Sequence, residues 1–248
     1  MADYLLIDVG NGRAKLGLAS ADAIFEHRDL PTADLAPESL HAAVLGWEFT
    51  RVIACSVVPR VVPALTEAFP ERLTLLRHDT PMPIGIRYPR PQSIGPDRLA
   101  NAIALSAMHV TPGKPGIVLD FGTAVTFDVL SGDNCYIGGV IAPGLRLMTD
   151  YLHQRTALLP QVELREPDTA IGQSTEGAIL AGAGFGYRGM IRGILDALRK
   201  ELPDGAEARV VSTGGDAEWI VAGMSEIQAV DPDLTLHGLR LLGNWTRI

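Results

Sequence analysis

Apolar positions in this chain come in short runs, each broken by glycine or proline. Tyr4-Leu5-Leu6-Ile7 is continuous and ends in Asp8, Gly10, Asn11 and Gly12. A run of that length bounded by turn residues predicts a buried strand entering a tight turn. Ala14-Lys15-Leu16-Gly17-Leu18-Ala19 alternates weakly and predicts the returning strand. Residues 51–58 predict another buried strand closed by Pro59, residues 61–69 a helix, and residues 73–76 a further strand. A proline-rich loop follows over 80–91. Gly95-Pro96-Asp97-Arg98 then opens an alanine-rich amphipathic helix over 99–105.

After a break at Thr111-Pro112-Gly113-Lys114-Pro115-Gly116 the opening pattern returns. Residues 116–130 again read as strand, Asp-x-Gly turn and strand, with Asp120-Phe121-Gly122 at the turn. Helical patterns cover 175–187 and 190–202. An apolar strand over 208–212 runs into Thr213-Gly214-Gly215. Strands alternate with helices in both halves, which predicts an α/β fold. Reuse of one opening unit predicts two related lobes, residues 1–114 and 115–248.

Composition narrows the function. The chain has 248 residues, long enough for two lobes each with a core. Its net charge is −8 and no basic run is present, so the counterion-displacing surface of a nucleic-acid binder is not expected. Cys55 and Cys135 are the two cysteines, far apart, and the six histidines are scattered; neither a disulfide framework nor a structural zinc site is expected. The first residues carry an acid where a leader would be basic, and no apolar run is long enough to span a bilayer, so a cytoplasmic protein is expected.

Two Asp-x-Gly hairpins suit a nucleotide. Glycine lets backbone N–H groups approach a phosphate, and a carboxylate at a strand end can hold Mg²⁺, which binds triphosphates through one or two carboxylates and several waters. Two such turns facing each other across a cleft between lobes would grip a nucleotide from both sides. Lys15 is placed to reach terminal phosphates, and Thr213-Gly214-Gly215 offers bare backbone to an adenosine. Transfer to an alcohol also needs a proton acceptor. Asp97, between a Gly-Pro loop and a helix start, is the best candidate, although capping the helix would also account for it. Arg98 could bind a substrate carboxylate or pair at the surface. These residues read as an ATP-dependent kinase.

In order and spacing the motifs resemble type III pantothenate kinases, within the actin and sugar-kinase superfamily. Asp8-Val9-Gly10-Asn11-Gly12-Arg13-Ala14-Lys15 is similar to the family's DxGNTxxK motif. Tyr88 and Gly95-Pro96-Asp97-Arg98 resemble its Tyr and GxDR elements, and Asp120-Phe121-Gly122-Thr123-Ala124 matches DxGTA. Gly138-Gly139-Val140-Ile141-Ala142-Pro143-Gly144, Thr156-Ala157-Leu158-Leu159-Pro160, Gly172 to Thr175 and Asp231-Pro232-Asp233-Leu234-Thr235-Leu236-His237-Gly238-Leu239 are similar to later segments.

The resemblance implies two ribonuclease-H-like lobes, the duplicated actin-like ATPase fold with a nucleotide cleft between them. It implies phosphorylation of pantothenate by ATP to 4′-phosphopantothenate, the first step toward coenzyme A. Asp8, Val9, Gly10, Asn11, Gly12, Arg13, Ala14 and Lys15 would form the ATP phosphate loop, with Thr123 also contacting ATP. Mg²⁺ would sit near Asp8 through water, and Asp120 would hold a monovalent cation, K⁺ or NH₄⁺. Asp97 would be the catalytic base, while Tyr88, Gly95, Pro96, Asp97, Arg98 and Thr175 would hold pantothenate. A homodimer is implied as well. One departure stands out: Gly12 replaces the usual Thr, removing a hydroxyl that would bond a phosphate, a loss of about 1.5–3 kcal/mol. That leaves a second reading, a non-catalytic ATP-binding regulator on the same scaffold, and a third, a kinase of another small alcohol.

Overall fold

The computed structural model describes residues 2–246, which fall into two compact units. Unit 1 takes the chain up to Val110, the short stretch 134–137 and the segment from Asp233 onward; unit 2 takes 111–133 and 138–232.

Unit 1 is built on β1 (Tyr4–Val9), β2 (Arg13–Ala19), β3 (Ile24–Pro31), β4 (Arg51–Ser56) and β5 (Leu73–Leu75), in the order β3-β2-β1-β4-β5. β1 runs antiparallel to β2 and parallel to β4. Leu5, Leu6 and Ile7 are fully shielded, because alternate strand positions point to opposite faces and both faces are covered. Leu5, Ile7 and Val9 join Leu40 of α1 (Pro37–Ala43) and Leu65 of α2 (Val62–Ala68) in one core. The opposite face carries the C-terminal helix, and Tyr4 there donates its hydroxyl to Asn244 Oδ1 at 2.9 Å. Two-sided cover is why β1 reads as an unbroken apolar run.

A short strand, β6 (Gly85–Ile86), precedes α3 (Pro96–Ala104). The helix starts one turn earlier than the apolar pattern predicts, because Pro96 occupies N1, where a missing N–H costs nothing.

Unit 2 repeats the layout. Its strands are β7 (Gly116–Phe121), β8 (Ala124–Leu130), β9 (Cys135–Pro143), β10 (Arg209–Thr213) and β11 (Ala229–Val230), in the order β11-β10-β7-β8-β9. The first residues of β9, Cys135 and Tyr136, belong to unit 1 and pair in parallel with β6. Again the first strand is antiparallel to the second and parallel to the fourth. Helices α4 (Leu145–Arg155), α5 (Thr175–Ala181), α6 (Tyr187–Glu201) and α7 (Ala217–Val221) complete the unit. A five-residue π-helical segment, Gly182–Gly186, joins α5 to α6, so the two expected helices form one helical path. Tyr187, Ile191 and Leu195 pack on Ile117, Leu119 and Phe121.

The last helix, α8 (Leu234–Trp245), departs from the sequence expectation, which gave residues up to 248 to the second lobe. Residues from Asp233 belong to unit 1, where Leu236, Leu239 and Leu242 are buried. α8 touches α3 backbone to backbone: a Cβ on Gly238 would lie 1.9 Å from Ala100 O. Beside that contact the Thr235 hydroxyl donates to Asn101 Oδ1 at 2.8 Å, pairing two buried polar groups. Among the described residues no helix is long and apolar enough to cross a membrane.

Candidate active site

The first Asp-x-Gly hairpin joins β1 to β2 with Asp8 directly opposite Lys15 and Val9 opposite Ala14. Directly opposed residues project on one face, so the carboxylate and the ammonium share a side of the hairpin. Gly10 N–H donates to Arg13 O at 3.0 Å. Neither Asn11 nor Gly12 has a left-handed backbone, although an Asn-Gly pair favours one in two-residue hairpins. Nothing lies within 4 Å of a Cβ built on Gly12, so the side chain usual in the resembling family has room.

Beneath the loop, Cys55 on β4 is in register with Asp8 and donates its thiol to Asp8 Oδ1 at 3.3 Å. Burial pushes the Cys55 thiol well above its ordinary range, and the carboxylates of Asp8 and Asp97 add to the rise. Cys55 is therefore a neutral donor at physiological pH, not a nucleophile.

Asp97 sits in the first turn of α3 with Gly95 as N-cap. Its Oδ1 accepts the Arg98 N–H at 2.8 Å, and a Cβ on Gly95 would come within 2.5 Å of that oxygen. The bare Gly95 thus leaves the carboxylate its place. Gly95→Ala is expected to fold normally, because the clash is with a side-chain end that can rotate. On the expectation that Asp97 is the proton acceptor, the rotated carboxylate should lower kcat about 10- to 100-fold, with the thermal midpoint unchanged. Steady-state kinetics beside thermal unfolding would check this.

Tyr136, on the unit 1 end of β9, was not anticipated. Its buried ring meets Tyr88 edge-on at 6.2 Å, and the Arg98 guanidinium lies 5.8 Å from its centroid. Arg87 N–H donates to Tyr136 O at 2.9 Å, which ties the stretch before Tyr88 to the same strand. Tyr88 and Arg98 are brought together through this ring. Only the β6–β9 pairing reveals it, and that pairing joins segments some fifty residues apart in a strand of two residues.

In unit 2 the second hairpin repeats the first, with Asp120 opposite Thr126 on β8 and beside Thr213 on β10. Two glycines clamp its turn. A Cβ on Gly144 would fall 2.3 Å from Gly122 O, and one on Gly214, whose φ is +96°, 2.5 Å from Phe121 O. Gly144 N–H donates to Thr123 O at 3.0 Å, and Asp216 N–H to Phe121 O at 3.4 Å. The Gly214-Gly215 turn therefore lies directly on the Asp120 turn, and Arg146 Nε holds the Asp216 carboxylate at 2.9 Å.

Thr175 is elsewhere in unit 2, at the start of α5, where the Ser174 hydroxyl caps the helix by accepting Gly177 N–H at 3.0 Å. Gly172 lies against that first turn so closely that a Cβ would meet Ala178 N at 2.2 Å. Thr175 lines a largely apolar cavity of 310 Å³ with Met148, Leu152, Leu159 and Ile179.

Two units with one strand order, each opening on an Asp-x-Gly hairpin, define the actin-like and sugar-kinase class of fold. A structure of a 2-dehydro-3-deoxygalactonokinase-type protein from Sinorhizobium meliloti is similar in fold: TM-score 0.61, 17% identity, 98% of this chain and 99% of that one. So is a Baf family transcriptional activator from Campylobacter jejuni: TM-score 0.63, 19% identity, 98% of both chains. Residues 4–197 match the family model described as type III pantothenate kinase. A type III pantothenate kinase from Akkermansia muciniphila is 46% identical over 239 residues, covering 96% of this chain and 97% of that one. The chain belongs to the type III pantothenate kinase family.

Proposed function

We propose that this protein transfers the γ-phosphoryl group of ATP to the primary hydroxyl of pantothenate, giving ADP and 4′-phosphopantothenate on the way to coenzyme A. The observation that carries the reading is the hairpin that sets Asp8 opposite Lys15, in a chain of this family. Asp97 takes the hydroxyl proton as the alcohol oxygen attacks phosphorus, and the bond to the β,γ-bridging oxygen breaks. The carboxylate is a suitable acceptor because its neighbours hold its orientation before substrate arrives.

The other assignments follow the same reading. Residues 8–15 bind the ATP phosphates, with Lys15 neutralising charge, and Thr123 contacts ATP. Among the described residues no three metal-ligating side chains cluster. A single carboxylate such as Asp8 suits Mg²⁺ that travels with the triphosphate and keeps its waters. Asp120, beside the hydroxyl-bearing Thr126 and Thr213 in register, offers oxygen donors of the kind K⁺ or NH₄⁺ takes. Tyr88, the loop of Gly95, Pro96, Asp97 and Arg98, and Thr175 hold pantothenate, Arg98 meeting its carboxylate. Leu147 and Tyr151 on α4, with Leu158 and Phe185, are exposed apolar groups that suit a second copy of the chain in a homodimer. A cytoplasmic location accords with two cysteines that stay as thiols.

Pantothenate-dependent ADP release, measured with Mg²⁺ and K⁺, tests the reading; well-folded protein giving no such release would overturn it. The bare Gly12 favours the second reading, a nucleotide-binding regulator. It predicts ATP binding without phosphorylated product. Gly12→Thr separates the two. The open space and ordinary backbone admit threonine, so stability should stay within about 0.5 kcal/mol. In an enzyme the added hydroxyl should lower the KM for ATP about five-fold or more; a regulator would gain affinity but no turnover.

A further inference from the structure

We infer that Thr32 is a positioning residue of the phosphate loop, aiming the loop's N–H groups by holding its carbonyls from behind. The inference rests on reading residues 8–15 as that loop. Thr32 lies just past the end of β3 and is fully buried, an unusual place for a polar side chain without a task. It makes two hydrogen bonds to the turn. Its hydroxyl donates to Gly10 O at 2.7 Å, and its backbone N–H donates to Gly12 O at 3.1 Å.

The consequence follows from peptide geometry. No peptide bond among the described residues is cis, and in a trans peptide C=O and N–H point in opposite directions. Fixing Gly10 O toward Thr32 turns the Asn11 N–H away from it. Fixing Gly12 O toward Thr32 does the same for the Arg13 N–H. Both N–H groups thus point away from the β3 side, and the turn gains this order without a left-handed residue. Flanking glycines are the most mobile residues a loop can have, so the clamp removes freedom where the cost of ordering is greatest. With Gly12 lacking a side chain, loop N–H groups carry more of the work of holding phosphate, and their aim matters more.

Thr32→Val tests this, since it retains shape and backbone N–H and removes the hydroxyl alone. The KM for ATP should rise about ten-fold while the KM for pantothenate stays within about two-fold. Thr32→Ser, which keeps the hydroxyl, should restore the wild-type KM for ATP. A Thr32→Val enzyme with an unchanged KM for ATP, or one that loses both substrates alike, overturns the assignment. If the valine variant does not fold, the serine variant decides: a ten-fold rise in its KM for ATP counts equally against the clamp. A wild-type protein without pantothenate-dependent turnover would instead refute the kinase reading on which the inference stands.

Discussion

Asp97→Asn is expected to lower kcat by about 10²- to 10⁴-fold while leaving the affinity for ATP within about two-fold. The substitution is nearly isosteric. Its amide oxygen can still accept the Arg98 N–H, and the tight approach to Gly95 is preserved, so α3 keeps its first turn. What disappears is the basicity that accepts a proton. Asp8, Lys15 and the turn between them are untouched. Equal loss of ATP binding and turnover would show that Asp97 holds the nucleotide site together and would reject its role as base. Isothermal titration with a non-hydrolysable ATP analogue, set beside single-turnover kinetics, separates the outcomes.

The second large effect concerns stability. Gly238→Ala should destabilise the protein by about 3 kcal/mol or more, near the upper end for an overpacked core. The added methyl would stand 1.9 Å from the Ala100 carbonyl oxygen, a backbone atom that cannot rotate aside. α8 and α3 must part, and the Thr235–Asn101 bond beside them is strained or lost. For a chain of this length the thermal midpoint should fall by about 6–12 °C. Since α3 carries Asp97, the protein that stays folded should also turn over more slowly. Gly12→Ala is the control, with open space around it. Equally mild effects of both alanines would show that α8 and α3 do not touch backbone to backbone at Gly238.

Local pattern went far where the physics is local. Both hairpins, strand β4 and the helix carrying Asp97 were legible because a doubly covered strand is unbrokenly apolar and Gly-Pro punctuates a helix start. β3 was not, since it is a sheet edge whose Phe25, Glu26, His27 and Asp29 face solvent, so neither its period nor its composition marks it. α1 is seven residues long, too brief for periodicity to register. Around the site, the motif residues were visible as types at a spacing. Their supports were not. Cys55, Thr32 and Tyr136 meet Asp8, Gly10 and Arg98 only because strands far apart in the chain lie side by side, and no run of neighbouring letters encodes that.

The docking of α8 on α3 bears on how the protein comes into being. Thr235 and Asn101 are 134 residues apart, and the whole of unit 2 is threaded between them. During synthesis, unit 2 can close around its own sheet as soon as β11 has left the ribosome. Unit 1 must wait, its β1 and β4 only partly covered on one face until the last helix emerges. The nascent chain therefore holds its proposed catalytic base on a helix that lacks its main partner for most of translation, and reactivity toward nucleotide should arrive late and all at once.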